Sequence, residues 1–107
     1  MTRLPPHALV RNKRVALGVQ MAELAFAGGV SEMEMTLAEE GLDHRTVYTR
    51  RGEEQRSFRV DWPTVHDLLR RKAVSRICRL KANGKPWQEI RIDGFKTSEI
   101  RDMWMDL

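Results

Sequence analysis

Glu40–Arg51 reads E-G-L-D-H-R-T-V-Y-T-R-R, and its conformation decides the fold. Gly41 follows the run Met35-Thr36-Leu37-Ala38-Glu39-Glu40. A glycine there can take positive φ at little cost and turn the chain sharply. Leu42 can cover the turn from inside, and Asp43 is a good helix cap. Arg45, Thr46, Tyr48, Thr49, Arg50 and Arg51 follow, with Val47 as the plainly apolar residue. This predicts a short helix with one anchor and a cationic outer face. The rival reading is a β-hairpin at about 45–60. Thr46, Val47 and Tyr48 are good strand formers, Gly52 can turn the chain, and Gln55–Val60 alternates.

Upstream, Val10, Leu17, Met21 and Leu24 recur at three-four spacing, which predicts one helix over His7–Ala27, ended by Gly28-Gly29. Ser31 with Glu34 three residues on forms a capping box for a second short helix, running to about Glu40. Downstream, Asp61 caps a helix over Trp62–Ala82 with Pro63 in its first turn. Val65, Leu68, Leu69, Ala73, Ile77 and Leu80 lie on or near one face of it. Lys72, Arg76 and Arg79 lie on another. Asn83-Gly84 ends that helix. Pro86–Ile92 reads as another short helix, and Thr97 or Ser98 caps a last one to about Asp106.

The turn Asp93-Gly94-Phe95 repeats the acid-glycine-apolar order of Glu40-Gly41-Leu42. Sliding the chain by about 53 residues matches Leu37 with Ile90, Gly41 with Gly94, and Val47 with Ile100. Helix, glycine turn and basic third helix resemble the helix-turn-helix DNA-binding superfamily. The expected fold is therefore all-α: two fused three-helix helix-turn-helix units, 1–53 and 54–107, sharing one core. The alternative is a winged-helix-like first unit carrying the β-hairpin.

The chain has 107 residues, 41% hydrophobic and 32% charged, with a formal net charge of +4 and a pI near 9.7. That suits one small, highly charged fold and favours a polyanionic partner. A single cysteine, Cys78, forms no internal disulfide and fits a reducing cytoplasm. His7, His44, His66 and Cys78 are too dispersed for a zinc pattern. No apolar run is long enough for a membrane span. Met1–Pro6 reads as a frayed tail, within which Arg3 is a candidate DNA-contacting arm. Glycine-loop and nucleophile motifs are missing, so neither enzyme chemistry nor a cofactor is expected.

The resemblance implies a sequence-specific, double-stranded-DNA-binding transcriptional regulator of bacterial, phage or plasmid type, acting as a monomer or homodimer. Its candidate base-reading residues are His44, Arg45, Thr46, Thr49 and Arg50, with Lys96, Thr97 and Ser98 in the second unit. Candidate phosphate contacts are Tyr48, Arg51, Lys72, Arg76, Arg79 and Arg101. Met103, Trp104, Met105 and Leu107 form a candidate surface for RNA polymerase or another regulator. Glu99 and Asp102 weaken the second unit as a DNA reader. One alternative is therefore a protein-binding regulator, an antiactivator or adaptor, on the same scaffold. Another is a DNA packaging or recombination accessory protein.

Overall fold

The computed structural model describes residues 4–107. Among them are five α-helices: α1 Val10–Leu17, α2 Met21–Gly28, α3 Glu32–Glu39, α4 Trp62–Ala82 and α5 Thr97–Met105. Between α3 and α4 stands an antiparallel hairpin, β1 His44–Thr49 and β2 Gly52–Ser57. The all-α expectation is therefore wrong, and the winged-helix-like alternative fits.

Both expected three-helix units are corrected. In the first, the third helix is replaced by the hairpin. Thr46, Val47 and Tyr48 follow their strand preference once Gln55, Glu54 and Glu53 pair with them. Arg50 and Arg51 form the tip, and the return to β2 takes its positive φ, 112°, at Gly52. In the second, Pro86–Ile92 contributes only a 3-10 turn, Trp87–Glu89. Residues 53 and 54, where the two expected units meet, are consecutive in β2.

The long first helix is also corrected. Gly18 takes a φ of 67°, and its N–H closes onto the Arg14 and Val15 carbonyls. This separates α1 from α2 and lets Val19 turn into the core. The capping box of α3 forms as expected: Glu34 N–H donates to Ser31 Oγ, and Ser31 N–H donates to Glu34 Oε1. Asp61 caps α4 through the Thr64 N–H. Arg3 lies outside the described residues. The Pro5 carbonyl accepts from Ala8 N–H, and the Pro6 carbonyl lies 2.7 Å from His66 Nε2.

Helix α4 joins two apolar clusters. Its first half gives Val65 and Leu69 to a core with Val10, Leu24 and Met35. Its second half gives Ala73 and Ile77 to a core with Ile90, Ile100 and Met103. The spacing of four keeps all four α4 residues on one face. The molecule is correspondingly elongated, 61 × 32 × 17 Å. At the end of α2, a Cβ on Gly28 would lie 2.7 Å from Met35, 3.1 Å from Val60 and 3.3 Å from Val65. Glycine thus lets the end of α2 sit directly on the core. The hairpin stands beside α3, and every residue of β2 is exposed.

Candidate interaction surface

In a helix-turn-helix arrangement the second helix of the motif faces the ligand. Before the hairpin, α2 and α3 are joined by the turn at Gly29–Ser31. Residues 21–40 contain Glu23, Glu32, Glu34, Glu39 and Glu40, and no Lys, Arg or His. Charge on this segment therefore opposes the net charge of the chain.

Three of these acids are engaged within the protein. Glu39, with its side chain 4% exposed, accepts from Arg14 Nε at 2.8 Å and from Arg14 Nη2 at 3.1 Å. Glu34 caps α3 and lies 3.5 Å from Arg45 Nε. Glu23 pairs with Lys72 at 3.0 Å across the α2–α4 contact. Glu32 and Glu40 remain exposed at the two ends of α3.

The same segment exposes large apolar side chains. Phe26 on α2 is 88% exposed and Met33 on α3 is 63% exposed. They flank the glycine turn in sequence, and Glu32 and Glu40 are the exposed carboxylates of the same segment. A duplex would meet like charge here with little hydrogen-bond donation to base edges. A protein groove with basic edges would meet complementary charge and gain from burying Phe26 and Met33.

The expected base-reading residues lie on the hairpin, not on a recognition helix. His44 is exposed, 3.1 Å from Asp43. Arg45 is half-buried; its Nε is shielded from solvent, lies 3.5 Å from Glu34 Oε2 and makes no hydrogen bond among the described residues. Thr46 Oγ1 accepts from Gln55 Nε2 at 3.0 Å. Thr49 Oγ1 donates to the Gly52 carbonyl and accepts from Arg51 N–H, closing the tip. Arg50, Arg51 and Tyr48 are exposed. Lys96, Thr97 and Ser98 are exposed together at the start of α5, where Lys96 N–H donates to Glu99 Oε1.

Several expected phosphate contacts are engaged inside the protein. Arg76 Nη1 donates to the Ala16 carbonyl at 2.6 Å, finishing the C-terminal end of α1. Lys72 holds Glu23. Arg101 lies 3.5 Å from Asp102 and 6.0 Å from the Trp87 ring centroid. Arg79 is exposed on α4.

The expected partner surface at the C-terminal end is divided. Met103 is buried in the second core. Trp104 donates Nε1–H to the Lys85 carbonyl, and Lys81 Nζ sits 4.1 Å above its ring. Met105 and Leu107 stay exposed. Sequence reasoning missed Phe26 and Met33 as surface residues. The signal was present: Phe26 lies two positions after Leu24, off the buried face of α2.

Comparison with protein-family models, curated proteins and solved structures found no match.

Proposed function

We propose that the protein is a protein-binding regulator, an antiactivator or adaptor built on a winged-helix-like scaffold. Its docking face is the α2–α3 surface centred on Phe26 and Met33. The observation that supports this most is the 88% exposure of Phe26 within a segment whose only charged residues are glutamates. An exposed aromatic of this kind has its main use at an interface. The acids around it would select a partner surface with basic edges and disfavour phosphate.

Direct reading of double-stranded DNA is the second reading. Arg50 and Arg51 support it, because both are exposed at the hairpin tip and neither forms an ion pair among the described residues. Two tip arginines fit a phosphate contact better than a sequence readout.

One experiment separates the readings. The protein is titrated against its own upstream DNA and random DNA at several salt concentrations. In parallel, a co-purifying protein is identified and its complex rebuilt from pure components. The proposal expects no site-dependent DNA binding and a rebuilt complex that weakens on Phe26→Ser. Tight, site-dependent DNA binding would overturn it.

A further inference from the structure

Strand β2 has one paired edge and one open edge. It pairs with β1 from His44↔Ser57 to Thr49↔Gly52, and the sheet ends there. Phe58 N–H donates to the Asp43 carbonyl at 2.9 Å, which makes 43–58 a hydrogen-bonded pair. Such pairs alternate along an antiparallel ladder. Arg56, Glu54 and Gly52 therefore spend their backbone groups on β1. The backbone groups of Glu53, Gln55 and Ser57 point away from it. Among the described residues no other element covers β2, and its sequence, G-E-E-Q-R-S, has no proline to block backbone pairing.

We propose that β2 pairs antiparallel with β2 of a second copy of the chain, about a two-fold axis at Gln55. The result is a four-stranded sheet across a symmetric dimer. It rests on the hairpin alone and not on the reading of the α2–α3 face.

The register follows from two constraints. A two-fold axis perpendicular to such a ladder must pass through a residue opposite its own copy, so the pairing is self-complementary. Axis positions then differ in charge. With Glu54 on the axis, Glu54 would face Glu54. With Arg56 on the axis, Arg56 would face Arg56. Like charges directly opposite each other destabilise a ladder. With Gln55 on the axis, the two Gln55 residues exchange both backbone bonds, and Glu53 pairs with Ser57 of the second copy. Glu54 then faces Arg56 of the second copy, twice by symmetry. Those are non-hydrogen-bonded positions, where opposed side chains come closest. The outward backbone groups allow an axis at Glu54, Gln55 or Arg56, and the charge pattern selects Gln55 among them. Within one chain Glu54 and Arg56 already lie 3.8 Å apart on one face of the strand. The dimer would join them into a four-charge cluster.

Sedimentation equilibrium of the intact protein tests this, with hydrogen exchange as the structural readout. The wild type should sediment as a reversible dimer. Arg56→Glu should be monomeric over the same concentration range, and Glu54→Arg likewise. Glu54→Arg combined with Arg56→Glu should restore the dimer, because each copy then meets the opposite sign again. Gln55→Pro should also give a monomer, since it removes an outward N–H and none that pairs with β1. Amides of Glu53, Gln55 and Ser57 should gain protection as concentration rises, while those of Glu54 and Arg56 are protected throughout. A wild type that stays monomeric overturns the proposal. So does a dimer that survives Arg56→Glu, or one whose outward amides exchange freely.

Discussion

Helices α2 and α3 and the hairpin that follows them are adjacent in sequence, yet their surfaces differ in kind. Residues 21–40, which span the helix pair, carry five glutamates and expose Phe26 and Met33. The hairpin exposes arginines at its tip and backbone along its edge. In a DNA-binding winged helix both elements would carry positive charge toward the duplex. Here α2 and α3 expose acidic and apolar side chains, and exposed arginines lie at the hairpin tip. A winged-helix-like backbone thus leaves the ligand open, and side-chain charge bears on which one fits.

The largest expected effect comes from the ion pair that holds the acidic helix. Arg14→Ala would leave the nearly buried Glu39 carboxylate without its partner. Urea unfolding should show a loss of about 3 kcal/mol. Next is the turn between α2 and α3. Gly28→Ala places a methyl group against Val60 and Val65, and should lower stability by about 2 kcal/mol, read as a fall in melting temperature. Phe26→Ser sharpens the contrast directly. Stability should change by less than about 0.5 kcal/mol, while affinity for the rebuilt protein partner should fall by roughly tenfold or more. The smallest effect is expected at the wing tip. Arg50→Ala with Arg51→Ala should leave both stability and partner affinity within about 0.5 kcal/mol of the wild type. A large loss of partner affinity there would move the docking face from the helices to the hairpin.

Much of the helical framework was legible. Ser31 with Glu34, and Asp61 before Trp62-Pro63, announce α3 and α4 by side-chain chemistry that acts within one turn. Legibility failed where two local structures compete. Glu40-Gly41-Leu42 and Asp93-Gly94-Phe95 look alike, and both glycines take positive φ, 86° and 89°. After Gly94, Ile100 and Met103 are three apart and bury one helix face. After Gly41, no such pair exists, and the β-branched residues of His44–Thr49 find a partner in Gly52–Ser57. That partner lies beyond the turn, so the outcome depends on pairing rather than on the stretch itself. Both turns are also packed by the N-terminal segment: Gly41 lies against the His7 ring and Gly94 against Lys13 and Leu9. No spacing in the sequence signals those contacts. Arg76 and Lys72 show the same limit for the site. They sit on a regular basic stripe, yet their ends are used by the Ala16 carbonyl and by Glu23. Their engagement depends on how α1 and α2 lie against α4.

What touches Phe26 distinguishes a protein partner from DNA. Replacing Phe26 with the photoreactive analogue benzoylphenylalanine and irradiating living cells that express the protein measures this directly. The account predicts one discrete protein adduct that is absent when the analogue is placed at Tyr48. Crosslinking of position 26 to DNA, with no protein adduct, would contradict it.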